Sequence, residues 1–112
     1  ADLAAGDFRS TLPRFEAANL DANLRLVDRL RQLAEEKGVT AAQLALAWVL
    51  AQGDDIVPIP GSRRIDNLDD NVAAIDITLT HDDRARIAAA MTGVQGARYA
   101  PRELSMLPER PA

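Results

Sequence analysis

One stretch of this chain reads as a β-strand, and a β-strand cannot stand alone. Ile56-Val57-Pro58-Ile59-Pro60 is a short apolar run between the Asp54-Asp55 turn and Gly61, which is the pattern of a buried strand. Its backbone donors and acceptors need ladder partners, and even a paired hairpin is marginal in water. Pro58 works against the assignment, because proline cannot donate to a ladder. The natural place for a second strand is Asp76-Ile77-Thr78-Leu79, yet that segment is short and its alternation is thin. The pattern therefore predicts one clear strand, over 56–59, whose partners lie in sequence outside these 112 residues. The expected class is α/β, with this chain as the end of a larger fold of alternating strands and helices.

The rest reads as helix, arm and tail. Residues 1–18 hold Gly6, Pro13, Phe8 and Phe15 without a sustained period and predict a looping arm. Leu24, Val27, Leu30 and Leu33 recur at helical spacing and predict a helix over 20–37, stopped at Gly38. Thr40 followed by Gln43 forms a capping box, with Val39 and Leu44 as a hydrophobic staple, so a second helix is expected over 41–52. Its run Leu44 to Ala51 is apolar all round and calls for burial on more than one side. Ile65, Leu68, Val72 and Ile75 mark the inner face of a helix over 65–75. Thr80 caps a last helix over 81–91, with Asp82 and Asp83 at its positive end. The tail, 92–112, is expected to be irregular.

Composition excludes several functions. The formal net charge is -4, with Lys37 the only lysine, so there is no basic stripe for a nucleic-acid backbone. No cysteine is present, and the one histidine has no second His or Cys to complete a metal site. No apolar run approaches the ~18 residues of a membrane span. A soluble, cytoplasmic protein without nucleic-acid or membrane partners is the expectation.

Chemistry concentrates in one place. A strand, then Gly61-Ser62-Arg63-Arg64, then a helix is an arrangement suited to phosphate. Gly61 admits a close approach, Ser62 offers a hydroxyl, the helix start offers free N–H groups, and an arginine can fork onto phosphate oxygens. On the helix, Asn67 and Asn71 stand at i, i+4 with Asp70 beside them. Their amides and carboxylate could read an adenine edge; without other context such a trio is an ordinary solvated helix face.

The run from Ile56 through Asn71 resembles the segment of aldo-keto reductases that covers the eighth barrel strand and the start of the eighth helix. Gly38-Val39-Thr40-Ala41-Ala42-Gln43-Leu44-Ala45-Leu46-Ala47-Trp48 resembles the family's preceding helix. The similarity extends from about Leu12 through Leu79. It implies the C-terminal fragment of a (β/α)8 TIM barrel, a fold that normally needs ~250 residues. On that basis 1–18 is a loop over the barrel mouth, 20–37 an added helix, 41–52 the seventh barrel helix, 56–59 the last strand and 65–75 the last barrel helix. The missing N-terminal barrel segment would be its partner. The parent activity implied is NADP(H)-dependent reduction of an aldehyde or ketone to an alcohol. Gly61, Ser62 and Arg63, helped by Arg64, would meet the 2′-phosphate, and Asn67, Asp70 and Asn71 would lie along the adenosine. Family members often have Gln or Arg at the place of Asn67 and Glu at that of Asp70.

The family's catalytic Asp, Tyr, Lys and His motifs are not found here. Tyr99, Lys37 and His81 are scattered over tail, helix end and helix start, so no catalytic residue is assigned and catalysis by this chain alone is not expected. His81 reads as a surface residue, Trp48 as core, and the pairs Asp54-Asp55, Asp69-Asp70 and Asp82-Asp83 as turn and helix-start residues. Two rivals come from other classes. Residues 33–44 have the spacing of a DNA-binding helix-turn-helix, but its second helix presents no Arg or Lys. A non-catalytic helical interaction module would fold cooperatively alone and ignore NADP.

Overall fold

Leu26, Leu30 and Ala34 fall one turn apart and are buried together on helix α1, Ala17–Glu36. The structure, a computed structural model, describes residues 3–106. Helix α1 starts three residues before the position the apolar period marks, because Ala17 and Ala18 are strong helix formers that extend it without needing burial. It ends in a Schellman motif: Gly38 sits at φ 69°, its N–H donates to the Glu35 carbonyl, and the Val39 N–H reaches back to Ala34.

The Thr40 side chain then caps α2, Ala41–Leu50, by accepting from the Gln43 N–H, and the Gln43 side chain accepts from the Thr40 N–H in return. Helix α2 ends two residues before the expected 52. Helix α3, Ile65–Ala73, tightens into a 3-10 turn at Ala74–Asp76 where an unbroken helix to 75 is expected. Helix α4 spans His81–Ala90 and carries a second capping box, Thr80 with Asp83. Leu44, with 0% exposure, packs with Leu30, Ala34 and Ile87, and Leu33, Val39, Trp48, Leu79 and Met91 close around them. Across α2 from that cluster lie α3 and the 3-10 turn, where Ala74 is buried.

The predicted strand is a correction. No strand forms among the described residues: 56–62 have no regular structure, and Val57 and Ile59 are 81% and 95% exposed. Pro58 and Pro60 remove two backbone donors, and no second extended segment stands beside this one to supply a ladder. All regular structure among the described residues is helical.

Contacts group the chain into two units, 26–92 and the two outer segments, 3–25 with 93–106. In the outer unit the arm is not a bare loop. It forms 3-10 turns at Phe8–Thr11 and Pro13–Phe15, the first capped by Asp7, whose carboxylate accepts from the Arg9 N–H and guanidinium. That side-chain hydrogen bond from Arg9 holds Asp7 down at about 2. Asn23 spans the unit, accepting from the Gln95 N–H at 2.8 Å and donating to the Gln95 carbonyl at 2.9 Å. Gly96, at φ 80°, is pressed so close that a Cβ there would lie 2.8 Å from the Pro13 carbonyl oxygen. The tail holds a short helix, α5, Pro101–Leu104, in place of wholly irregular chain. The ends of the expected arm and tail, 1–2 and 107–112, lie outside the described residues.

Two ion pairs fasten α1 to α4: Lys37 to Asp83 at 2.8 Å and Glu36 to Arg86 at 2.6 Å. The Asp83 carboxylate accepts from Lys37 and from the Thr80 N–H together, which lowers it from 3.8 to about 2. A carboxyl that binds protons more weakly when folded contributes stability above about pH 4, and that contribution is lost as pH falls toward 2. The urea midpoint of the chain is expected to drop over this window, and Asp83→Asn to have a shallower drop there; parallel curves would count against the pair. Gly38→Ala meets no atom within 4 Å, so its cost is that of left-handed backbone alone. Chemical denaturation is expected to show a loss of about 1 kcal/mol.

Candidate functional site

Residues 61–71 are contiguous in sequence and form a loop followed by the body of α3. The loop is shaped by Ser62, whose hydroxyl donates to the Arg64 carbonyl at 3.1 Å. Arg64 is the N-cap residue of α3 and has no side-chain oxygen to give, so no side chain caps this helix start. The first-turn N–H groups therefore lack the partner that Thr40 and Thr80 provide to α2 and α4. Open amides at the positive end of a helix attract anions.

The two arginines differ. Arg64 reaches Asp66 at 3.4 Å, with both side chains at least three-quarters exposed, a contact of little energetic value in water. Arg63 makes no ion pair among the described residues. Gly61 has ordinary backbone geometry, and a Cβ on it would meet nothing within 4 Å. The space over Gly61 is open, so a group bound there could approach the backbone directly. The Arg63 guanidinium and the open amides form a donor set that matches a phosphate in chemistry, which the Ser62 hydroxyl can join by leaving the Arg64 carbonyl.

The polar trio on α3 is not uniform. Asn67 and Asp70 are exposed, whereas Asn71 is half-buried at the rim of an open depression of about 280 Å³. Leu46 and Leu50 of α2, Val57, Pro58 and Pro60, and Leu68, Val72 and Ile75 line the rest of it. The i, i+4 spacing thus sets Asn67 and Asn71 on one side of α3 but in different surroundings. Two contacts were missed in the sequence. Asp66 is a partner for Arg64, which the adjacent opposite charges in Arg64-Ile65-Asp66 could have signalled, and the Gln43 side chain donates to the Asp70 carbonyl at 3.2 Å, for which no sequence signal exists.

The remaining candidates take other roles. Trp48 packs against the core cluster, His81 is exposed at the first turn of α4, and Lys37 is committed to Asp83. Tyr99 is half-buried with the Arg98 guanidinium 5.7 Å from its ring centre. No helix among the described residues is long and apolar enough to cross a membrane.

Comparison with known proteins gives these elements a family. Residues 3–92 match the model of the Aldo/keto reductase family. A probable aldo-keto reductase 1 of Glycine max is 48% identical over 89 residues, which is 78% of this chain and 26% of that protein. The aldo-keto reductase yakc [NADP(+)] of Schizosaccharomyces pombe is 41% identical over 102 residues, 89% of this chain and 30% of that protein. The chain belongs to the aldo/keto reductase family, whose barrel it contributes to as a fragment. It spans less than a third of the length of either relative.

Proposed function

We propose that this chain is the C-terminal part of a reductase barrel and binds the adenosine 2′-phosphate end of NADP(H), in a complete protein that reduces aldehydes or ketones to alcohols. The observation that supports the phosphate assignment most is the uncapped start of α3 beside Arg63, a guanidinium without an ion pair among the described residues, in a chain of net charge -4. The name of the Schizosaccharomyces pombe relative, which states NADP(+), agrees with that choice of ligand.

In this reading Arg63 forks onto the 2′-phosphate, Ser62 and the first-turn amides of α3 complete its hydrogen bonds, and Arg64 leaves Asp66 to add charge. Asn67, Asp70 and Asn71 run along the adenosine. The nicotinamide end, when bound, supplies hydride to the carbonyl carbon; the proton donor comes from barrel segments that this chain does not include. The partner is the rest of the same barrel. Val57, Ile59, Ile65, Leu68, Val72 and Ile75 are all exposed, from 52% to 95%, and the depression that Val57, Leu68, Val72 and Ile75 help to line joins the extended segment to α3. A soluble monomer rarely leaves such a contiguous apolar surface in water, and the strand-like segment needs ladder donors that neighbouring barrel strands would bring.

Adenosine 2′,5′-bisphosphate carries the phosphate in question and adenosine 5′-monophosphate lacks it. In titrations followed by amide shifts, the bisphosphate is expected to move residues 61–71 and to bind more tightly. Arg63→Ala is expected to weaken the bisphosphate by about tenfold or more, as for a charged hydrogen-bond pair, with the monophosphate almost unaffected. Equal weakening of both nucleotides would reject the assignment of Arg63. The barrel interface has its own test. Ile59→Thr is expected to change the stability of the isolated chain by less than about 0.5 kcal/mol and to cost the complete protein about 1 to 3 kcal/mol. A large loss in the isolated chain would show that Ile59 already has a partner.

A further inference from the structure

One amide, that of Gln43, has two separate uses. Its Oε1 accepts from the Thr40 N–H at 3.0 Å, which completes the cap of α2. Its Nε2 is not required for capping and donates instead to the Asp70 carbonyl at 3.2 Å, on a helix 27 residues further along the chain.

The Asp70 carbonyl has lost its usual helix donor. In an unbroken α-helix it would accept from the Ala74 N–H. Ala74 instead donates to the carbonyls of Asn71 and Val72, as α3 tightens into the 3-10 turn Ala74–Asp76. The tightening is tied to packing, since Ala74 is buried and its turn lies close against α2. A carbonyl released by one helix is thus taken up by the cap of another. Only a side chain with an acceptor and a donor on one carbon can serve both ends. A glutamate would keep the cap and lose the donor.

We propose that Gln43 is a positioning residue for the nucleotide-binding face of α3. By tying the Asp70 backbone to the first turn of α2, it sets the height and rotation at which Asn67, Asp70 and Asn71 meet the adenosine. This rests on the function proposed above, and the test separates the two. Gln43→Glu and the neutral Gln43→Met both remove the donor, so agreement between them excludes the added negative charge as the cause. Thr40→Ala weakens the cap and leaves Nε2 able to reach Asp70.

The readouts are amide hydrogen exchange over 71–77 and affinity for adenosine 2′,5′-bisphosphate, measured on the whole 112-residue chain. Both Gln43 variants are expected to exchange faster over 71–77 and to bind the bisphosphate about two- to tenfold more weakly, the range of one net hydrogen bond. Thr40→Ala is expected to lower the unfolding midpoint and keep its affinity within about twofold, which a merely stabilising role for Gln43 would not produce. Unchanged exchange or unchanged affinity in Gln43→Glu, with the wild type binding, overturns the positioning role and leaves the phosphate assignment standing. Absence of binding by the wild-type chain overturns the phosphate assignment and, with it, any role of Gln43 in that site.

Discussion

Leu44 is the only large side chain among the described residues with no exposed surface, and it decides where α2 lies. It is seated among Leu30, Ala34 and Ile87, from the helices before and after. The Schellman turn at Gly38 and the capping box at Thr40 leave α2 little freedom in how it leaves α1. Burial of a leucine is worth about 2 kcal/mol, a large share of the stability of a small unit. Once α2 is fixed on that side, its opposite side becomes the platform for α3 and the 3-10 turn, where Ala74 is small enough to approach. The candidate phosphate site is then two steps from the core: Leu44 places α2, and α2 places α3.

The polar contacts lie where the apolar core is thin. Capping boxes at Thr40 and Thr80 satisfy helix amides, and Asp83 serves both as a capping carboxylate and as the partner of Lys37. Such contacts do little for affinity between helices in water but fix geometry. The start of α3 is the exception. It alone among α2, α3 and α4 lacks a side-chain cap, and it alone follows two arginines. Leaving these amides open costs stability that a cap would recover, and is what an anion site at that helix end requires.

Local signals were legible in the sequence, and non-local ones were not. The Thr40-Gln43 box and the stop at Gly38 depend on residues three or four apart, so the chain itself displays them. The strand was misread because Ile56-Val57-Pro58-Ile59 has strand composition, whereas a strand exists only through partners, and none stands beside it. Helix α3 was read two residues too long because Ile75 keeps the apolar period into the 3-10 turn. The candidate site residues could be named because they are consecutive and resemble a family motif. Their differing environments could not: Asn71 is half-buried at a depression that Leu46 and Leu50 of α2 also line, and the bond from Gln43 to Asp70 joins two helices.

The two unmet needs of this segment are different in kind. The apolar face of Val57, Ile59, Leu68 and Ile75 needs a surface of matching shape, and nothing among the described residues offers one. The start of α3 needs only a small anion, and the groups that would hold it are adjacent in the chain and set by helix geometry. The first need is collective and, under the function proposed, is met by the rest of a barrel. The second is local and depends on how α3 is held against α2. A phosphate site built from consecutive residues on a helix anchored by the core can be in place before the barrel closes. Under the function proposed, that arrangement gives the nucleotide end of the site a rigidity that does not wait for the rest of the barrel.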